Sequence, residues 1–431
     1  MERYSEYKDS GVKWLGEIPR HWEVIKTSRI FSYIGSGTTP KSGSEDYYTQ
    51  NGIPFLQTGD LNDGYVTHTS KRITEKALRD TNLKIHPKGS LIVAMYGATI
   101  GKLGILDIDA TVNQACCVLT KSPIIETKFA FYTYLAAKKD LIFQSKGGGQ
   151  PNISQDTIRS ERIPIPPIKE QEAIVAYLDA TTSKIDEAIA QQQKMIDLLN
   201  ERKQIIISNA VTKGLDPNVK MKPSGIDWIG DIPSHWELLQ LKKVAKIILG
   251  KMLSREQGEV YPYLCAKDVH YGSVNVTDLK TMHFSDIEKQ LYEVRKGDML
   301  IVEGGAGAGG CAIYDDDEHG IYIQNSIMIV RCYKTMLNGY VCYMIQSINQ
   351  KGYVEYICNK ATIPHFTKEK VGSVIIPIPP KEEQKAILDY ITKSIKPIEV
   401  SINNCQKQIS LLQERKQIII NDVVTGKVKV V

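Results

Sequence analysis

Residues 10–23, Ser-Gly-Val-Lys-Trp-Leu-Gly-Glu-Ile-Pro-Arg-His-Trp-Glu, occur a second time as residues 224–237, Ser-Gly-Ile-Asp-Trp-Ile-Gly-Asp-Ile-Pro-Ser-His-Trp-Glu. All four tryptophans of the chain lie in these two copies. Two further segments recur at almost the same interval: residues 163–171 return as 376–384, and residues 201–207 return as 414–420. Since the interval is about half of the 431 residues, the sequence indicates a tandem duplication of one unit.

Between these repeated segments the two copies differ. The repeated segments are therefore expected to perform one function twice, and the divergent interiors are expected to perform two different functions. The interiors contain short β-branched and aromatic runs bounded by turn residues, such as residues 90–96 and 322–330, and these runs predict strands. Residues 128–143 and 337–356 are predicted to be helical. The expected fold class is therefore α+β, with a pseudo-two-fold internal repeat.

The conserved end of each copy is predicted to be helical, after a stiff Pro-Ile-Pro-Pro entry. Thr181-Thr-Ser183 is expected to interrupt the first helix, and Pro397 is expected in the first turn of a new helix in the second copy. Beyond these points apolar residues recur at heptad spacing, with Gln192 and Cys405 at the two missing positions, which predicts a coiled-coil seam. The alternative is an amphipathic helix packed on its own domain. The seam residues are Ile185, Ile189, Ile196, Leu199 and Ile206 in the first copy and Ile398, Ile402, Ile409, Leu412 and Ile419 in the second.

Composition and charge restrict the class of protein. A hydrophobic fraction of 42% and a charged fraction of 24% are typical of folded chains. Without a long apolar run or an apolar N-terminal stretch, we expect no membrane span, no secretory signal and a cytoplasmic location. The net charge of +5 is small, so contact with nucleic acid is expected through local patches or with a partner's help. The eight cysteines form no C-x-x-C and are expected to be reduced thiols rather than zinc ligands.

Several motifs resemble catalytic or nucleotide sites only in part. Residues 305–310, Gly-Ala-Gly-Ala-Gly-Gly, precede a strand-like run where a dinucleotide site needs a helix. Residues 97–102 are one residue short of a P-loop and lack its Ser or Thr. Both loops are predicted to be tight turns between strands. Glu-x-Lys pairs begin at Glu201, Glu383 and Glu414, in predicted helices, where solvated charges are expected rather than a Mg²⁺ site.

The repeated motifs, taken in order, resemble the specificity subunit of type I restriction–modification enzymes. The resemblance rests on Trp-Leu-Gly-Glu-Ile-Pro-x-His-Trp-Glu, Gly37-Thr-Thr-Pro40, Gly52-Ile-Pro54, Ile-Pro-x-Pro-Pro-x-x-Glu-Gln and the helix ending Glu-Arg-Lys-Gln. It extends over essentially the whole chain. The second copy departs from the pattern at residues 249–253, Leu-Gly-Lys-Met-Leu, where no Gly-Thr-Thr-Pro occurs.

This resemblance implies two target recognition domains, residues 1–162 and 216–375, each followed by a conserved helical region, residues 163–215 and 376–431. Each domain would read one half of a bipartite asymmetric target in double-stranded DNA. The two helices would pair as an antiparallel coiled coil, hold the domains apart and set the unread spacer.

The resemblance also implies partners and cofactors. Two methyltransferase subunits would dock on the conserved parts and supply S-adenosylmethionine chemistry on adenine. Two restriction subunits would add translocation and cleavage that depend on ATP and Mg²⁺. The chain itself would be non-catalytic and would hold no metal and no cofactor. His21 and His235, in the tryptophan motif, are expected to be structural.

Base-edge contacts require polar side chains in accessible loops. The candidates for DNA contact are Lys41, Ser42, Lys71, Arg72, Gln150 and Asn152 in the first domain and Lys251, Arg255, Lys267, Lys360 and His365 in the second. For each of them a solvated surface position is the alternative. Two other functions stay open: a coiled-coil scaffold or adaptor without sequence-selective DNA binding, and a nucleotide-binding enzyme that uses residues 305–310.

Overall fold

The computed structural model describes residues 2–145, 152–253, 258–305, 307–358 and 364–430. The chain divides into two compact units: unit 1 is Met1–Gln192 with Lys407–Val431, and unit 2 is Gln193–Gln406. Each unit contains a strand-rich head and parts of two long helices. We call the described parts of residues 2–167 head 1 and those of residues 214–380 head 2. The predicted domain limits at residues 162, 215 and 375 stay predictions.

Head 1 is built from short strands and four helices. The strands are β1 Tyr7–Asp9, β2 Glu17–Pro19, β3 Glu23–Lys26, β4 Ile34–Ser36, β5 Tyr48–Leu56, β6 Gly64–Val66, β7 Lys71–Ile73, β8 Leu91–Ala94, β9 Leu103–Leu106, β10 Thr111–Val112, β11 Cys116–Leu119 and β12 Arg162–Ile165. The helices are α1 Thr27–Ile30, α2 Glu75–Asp80, α3 Thr127–Phe143 and α4 Gln155–Ser160. The predicted helix 128–143 is thus confirmed as α3.

Two sheets form the centre of head 1, in the orders β4-β11-β8-β9-β6 and β10-β5-β7. Every residue of β8, β9 and β11 is buried, because the faces of their sheet are covered by separate apolar clusters. On one side Phe129 and Tyr134 of α3 pack with Val93. On the other side Leu56 and Val112, from the smaller sheet, pack with Ile92.

A long helix, α5 Ile168–Lys213, leads from head 1 toward head 2. The strands of head 2 are β13 Met221–Pro223, β14 Asp231–Pro233, β15 Glu237–Gln240, β16 Ala245–Leu249, β17 Val260–Leu264, β18 Val269–His270, β19 Ser273–Val274, β20 Lys280–His283, β21 Met299–Val302, β22 Cys311–Ile313, β23 Tyr322–Ile323, β24 Ile327–Cys332 and β25 Ile375–Ile378. The remaining helices are α6 Leu241–Val244, α7 Asp286–Tyr292, α8 Asn338–Gln350, α9 Tyr353–Ile357, α10 Lys368–Ser373 and the long α11 Lys381–Val424.

Head 2 repeats the strand order of head 1 although the two interiors have diverged in sequence. Its larger sheet, β16-β24-β21-β22, matches β4-β11-β8-β9, and its smaller sheet, β20-β17-β23, matches β7-β5-β10. In both smaller sheets the central strand pairs antiparallel on one side and parallel on the other. The predicted α+β fold with an internal repeat is therefore confirmed, and the repeat extends through the divergent interiors.

Two sequence-based element predictions for head 2 were too coarse. Residues 322–330 form two strands, β23 and β24, because the backbone turns at Gln324, whose carbonyl accepts from the Ile327 amide at 2.9 Å. Residues 337–356 form two helices, α8 and α9, separated at Gly352, which has a φ of +81°. The glycine loops 97–102 and 305–310 link antiparallel strands, as predicted, although residue 306 lies outside the described residues.

Both predicted helix breaks are wrong. Helix α5 continues through Thr181-Thr-Ser183, where Thr182 is 6% exposed, so local packing overrides a weak capping signal. Pro397 lies inside α11, where the loss of one backbone hydrogen bond is offset by burial of Ile391, Ile395 and Ile398. In the described part of the chain no helix is both long and apolar enough to cross a membrane.

Within each unit, α5 and α11 pack side by side and run antiparallel. In unit 1, Lys416 contacts Asp186 at 2.7 Å, while Ile174 and Leu178 share a core with Ile420 and Val423. From the ion pair to the shared core, the residue numbers decrease along α5 and increase along α11, so the two helices run antiparallel. Unit 2 shows the same arrangement, with Lys203 contacting Glu399 at 2.5 Å and with Ile207 and Val211 in one core with Ile387 and Ile391.

The proposed seam residues lie on the protected faces of these helices. Ile185, Ile196 and Ile398 are buried, and the other seam residues are half-buried. Gln192 and Cys405, which complete the heptads, are also half-buried. Two of the Glu-x-Lys lysines, Lys203 and Lys416, form the ion pairs between the helices, so the expectation of purely solvated charges is wrong for them.

Candidate nucleic-acid interface

The repeated tryptophan motif attaches each head to the start of its long helix. Trp22 is fully buried, and its indole N–H donates to Glu170 at 3.1 Å, while His21 contacts the same carboxylate at 2.9 Å. Trp236 is also fully buried. Its indole N–H donates to Glu383 at 2.8 Å, and His235 contacts that carboxylate at 2.7 Å. Glu383 is therefore the buried indole's acceptor rather than a purely solvated charge, and both histidines hold the head onto the helix.

The glutamine that follows each of these glutamates is buried and makes a repeated set of bonds. The Gln171 amide donates to the Pro166 carbonyl at 2.7 Å, and its oxygen accepts from the Glu126 amide at the start of α3. The Gln384 amide donates to the Pro379 carbonyl at 2.9 Å, and its oxygen accepts from the Leu337 amide at the start of α8. The Glu-Gln pair therefore fixes the proline turn and the head's largest helix in both copies.

A polar cleft with a volume of about 640 Å³ opens in head 1, where β5 and β7 meet the loop that precedes β5. Three of the sequence candidates, Ser42, Lys71 and Arg72, line it, and Lys41 is exposed next to Ser42. The full lining is Ser42, Gly43, Ser44, Glu45, Tyr48, Thr49, Gln50, Thr69, Ser70, Lys71 and Arg72. Hydroxyl, amide and cationic groups of this kind are the ones that contact base edges and phosphates.

A β-bulge shapes the cleft. Tyr48 and Ile53 of β5 both pair with Ile73, so residues 49–52 are left outside the ladder. A Cβ on Gly52 would lie 2.3 Å from the Ile73 carbonyl oxygen, so only glycine fits there. The Arg72 guanidinium donates to the Gly52 carbonyl at 2.8 Å. Arg72 thereby holds the bulge in place, which presents the Thr49 and Gln50 side chains to the cleft.

The Gly-Thr-Thr-Pro segment contacts β5 and β10 beside this bulge. The Tyr48 hydroxyl donates to the Pro40 carbonyl at 2.9 Å, and burial raises the pKa of Tyr48. Gly37 lies so close to the Val112 carbonyl that a Cβ would overlap it. The exposed Lys71 ammonium lies 5.6 Å from the centre of the Tyr48 ring. A cation and an aromatic ring are thus held at the mouth of the cleft.

Apart from Ser42, sequence reasoning missed the uncharged members of this cleft. Thr49 and Gln50 lie on the bulge, and Thr69 and Ser70 precede β7. The Gln-Asn-Gly triplet at residues 50–52, inside an otherwise strand-like run, was the signal of a bulge. Within the described residues, the exposed Gln50 amide has no hydrogen-bond partner from the protein, so its donor and acceptor are available to a ligand.

The other head 1 candidates lie apart from this lining. Asn152 is exposed and forms a backbone bridge with Tyr96. Gln150 lies outside the described residues, as do Arg255 and Lys360 of the second domain. For these residues the role in DNA contact stays a prediction.

In head 2, Lys251 is buried, and its position does not favour direct contact with DNA. Its ammonium donates to Glu288 at 2.7 Å and to the His283 carbonyl at 3.0 Å. Burial opposes ionisation of Glu288, but hydrogen bonds from Lys251 and Ser285 lower its pKa overall. Lys267 is exposed and lies 3.5 Å from the buried Asp268, while His365 is exposed and bridges Gly304 through its backbone.

The described residues contain no group of three or more His, Cys, Asp or Glu that could hold a metal ion. The eight cysteines are free thiols. Burial raises the pKa of Cys117 to about 12, and burial also raises the pKa of Cys311. Thiols of this kind are inert because they are protonated at neutral pH.

The family model of the type I restriction modification DNA specificity domain matches residues 19–196 and 233–412. The chain is 26% identical to the type I restriction enzyme MjaVIII specificity subunit of Methanocaldococcus jannaschii, over 98% of this chain and 97% of that protein. It is 22% identical to the EcoKI specificity subunit of Escherichia coli, over 93% of this chain and 88% of that protein.

One solved structure, from work on complex assembly and conformational transition of the type I R-M system, resembles the chain in fold. The TM-score is 0.69 at 18% sequence identity, and the match covers 95% of this chain and 99% of the other. At this identity the likeness shows the fold alone.

Proposed function

The chain belongs to the family of type I restriction–modification DNA specificity proteins, and we propose that it is the DNA-reading, non-catalytic subunit of a type I complex. Each head reads one half of a bipartite target. The observation that carries this proposal is the pair of heads with one strand order and different surfaces. At the loop after the first strand of the larger sheet, head 1 has an open polar cleft, whereas head 2 has an ion pair between the buried Lys251 and the half-buried Glu288.

A domain exchange tests this proposal. Residues 1–162 are replaced by the corresponding head of a relative, and methylated motifs are mapped in a host that carries the complex. One half of the motif should change and the other half should stay. The matched exchange of residues 216–375 should change only the opposite half. A motif that changes in both halves, or in neither, would contradict the assignment and favour a scaffold without base readout.

We further propose that the long helices carry two methyltransferase subunits. Leu198 and Leu411 occupy equivalent positions in the repeat, and both are exposed, by 50% and 63%. Ile205 and Ile418, seven residues further on, are 52% and 51% exposed. Since residues seven apart share one helix face, each helix presents the same apolar pair to solvent. Two equal surfaces suit two copies of one partner.

Charge substitution separates this role from folding. Leu198→Asp with Leu411→Asp should abolish co-purification of the methyltransferase subunit, and Leu198→Asp alone should leave one copy, as counted by native mass spectrometry. Asn200→Asp with Gln413→Asp adds the same charges at other exposed positions and should keep two copies. Retention of both copies by the leucine variants would place the docking surface elsewhere.

The cofactors are assigned to the partners: S-adenosylmethionine to the methyltransferase subunits, and ATP with Mg²⁺ to two restriction subunits. The purified chain with labelled S-adenosylmethionine and DNA should transfer no methyl group, and transfer should begin when the methyltransferase subunit is added. Transfer that scales with this chain alone would overturn the non-catalytic role.

A further inference from the structure

A small pocket lies beside the tryptophan motif of unit 2. It has a volume of about 240 Å³ and is lined by Leu215, Val219, Pro233, His235, Glu383 and Ile387, among others. Its walls are mostly apolar, and three charged residues, Lys213, Asp216 and Glu383, are among those that line it. The Glu383 carboxylate is already positioned, because Trp236 and His235 both contact it.

In unit 1 the equivalent carboxylate is covered by a tyrosine. The Tyr4 hydroxyl donates to Glu170, and the Tyr4 ring lies 5.6 Å from the His21 ring and 5.9 Å from the Trp22 ring, between ring centres. Burial, and then the Glu170 carboxylate, raise the pKa of Tyr4, so the phenol is neutral and acts as the donor. In the repeat the position of Tyr4 is taken by the exposed Asn218.

The loss of this tyrosine leaves the second carboxylate open. The Glu170 side chain is 11% exposed, whereas the Glu383 side chain is 41% exposed, although each contacts the same histidine and tryptophan of its own unit. A carboxylate has about four lone-pair sites, so Glu383 retains acceptor capacity after its two contacts. The chain therefore contains one filled and one open version of the same site.

We propose that the unit 2 pocket binds a phenol ring, donated as a tyrosine side chain by another polypeptide. The ring packs against Leu215, Pro233 and Ile387, and its hydroxyl donates to Glu383, as Tyr4 does to Glu170 in unit 1. Only a ring with a donor satisfies both the apolar wall and the carboxylate. The proposal does not depend on the DNA-reading function.

The test uses the full chain with ¹⁵N-labelled tryptophan, because the Trp22 and Trp236 indole N–H groups report the two sites separately. The probe is p-cresol, the free tyrosine side chain. It should shift the Trp236 signal with a Kd of about 1–10 mM, as expected for a ligand of this size, and should leave the Trp22 signal in place. The methyl ether 4-methylanisole lacks the donor and should bind about tenfold more weakly.

Two matched variants each introduce the residue that stands at the equivalent position of the other unit. Asn218→Tyr should fill the pocket and abolish the p-cresol shift at Trp236, while Tyr4→Asn should create a p-cresol shift at Trp22. Absence of a shift at Trp236 in the unmodified chain, equal binding of the ether, or unchanged binding in Asn218→Tyr would each overturn the proposal. N-acetyltyrosinamide tests whether the phenol belongs to a polypeptide. Binding comparable to that of p-cresol supports a tyrosine side chain of another polypeptide. Failure of N-acetyltyrosinamide to bind would overturn that part of the proposal in favour of a small free phenol.

Discussion

The Lys416 ammonium donates to both carboxylate oxygens of Asp186 at 2.7 Å, and the internal repeat places the same ion pair in the other unit, between Lys203 and Glu399. Lys416 is equivalent to Lys203, and Asp186 is equivalent to Glu399, so each helix supplies one cation and one anion. The pairs therefore favour antiparallel pairing of α5 with α11. In a parallel pairing these charges would not face each other.

Reversal of one pair should lower stability only slightly. Lys416 is 30% exposed and Asp186 is 54% exposed, and ion pairs of that exposure contribute roughly 0–1 kcal/mol. Lys416→Glu should therefore lower the thermal midpoint by about 2–4 °C, and Asp186→Lys in addition should restore it. A double variant less stable than Lys416→Glu would show that the two charges do not interact.

A pH-dependent loss of stability is expected from Glu161. Glu161 is 5% exposed, and burial raises its pKa above the ordinary 4.5, although Trp14 donates a hydrogen bond to it at 2.8 Å. Between the ordinary pKa and the raised one, the folded state retains a proton that the unfolded state has released. Stability therefore falls as the pH rises through this window and stays lower at neutral pH.

Glu161→Gln preserves an acceptor for Trp14 and removes this titration. The variant should have a higher thermal midpoint at pH 7 and a flatter profile above pH 4.5. Glu172→Gln, on the exposed face of α5, is the matched control and should change neither. A Glu161→Gln variant whose profile parallels that of the unmodified chain would exclude Glu161 as the cause.

Gly426 closes unit 1 at the end of α11. It has a φ of +73°, and a Cβ there would lie 2.3 Å from Pro19 Cδ and 3.1 Å from the Trp22 ring. Gly426→Ala should therefore lower the free energy of unfolding by about 1–3 kcal/mol through steric overlap, and by about 1–2 kcal/mol more because alanine disfavours a left-handed backbone. Gly11 has a similar φ, +65°, with nothing within 4 Å of a Cβ, so Gly11→Ala should show only the loss caused by the backbone conformation. Equal melting temperatures for the two variants would disprove the close packing.

The head 1 cleft is expected to read bases through the bulge. Gln50→Ala should relax one position in one half of the methylated motif, because an amide paired with a base edge contributes about 1–3 kcal/mol of discrimination. The other half should not change. Asn62→Ala, exposed in head 1 outside the cleft lining, should preserve the whole motif. An intact motif in Gln50→Ala would move the readout away from the bulge.

The helices are expected to set the spacer between half-sites. The division between units falls after Gln192 in α5 and after Gln406 in α11. Cys405 is the equivalent of Gln192 in the repeat and lies next to the second division. Insertions of four residues after Gln192 and after Cys405 therefore leave the contacts within each unit nearly unchanged. Four residues add about 6 Å of helix, close to two base pairs of DNA. Methylation mapping should show a spacer longer by about one or two base pairs.

The half-sites should be unchanged by this double insertion. An insertion after Gln192 alone shifts one helix against the other and should reduce activity more strongly. An active double variant that keeps the original spacer would contradict the role of the helices as a ruler.

The duplication, the α+β fold and the family were readable from the sequence, because each depends on local patterns: a repeated motif, strand-like runs and heptad spacing. The helix breaks at Thr181–Ser183 and Pro397 were not, since capping and proline signals are worth a few kcal/mol at most and the cores around Thr182 and Ile395 outweigh them.

Only the tertiary structure showed what the motifs do. The sequence contains the Trp-Glu and Glu-Gln motifs as separate strings, but the Trp22 indole meets Glu170 only when residues 148 apart in the chain are brought together. For the same reason Lys251 was a DNA candidate as a polar side chain in an expected loop, and only the fold buries it against Glu288. Local patterns determine which elements form, whereas contacts distant in sequence decide which polar groups are engaged and which stay free for a ligand.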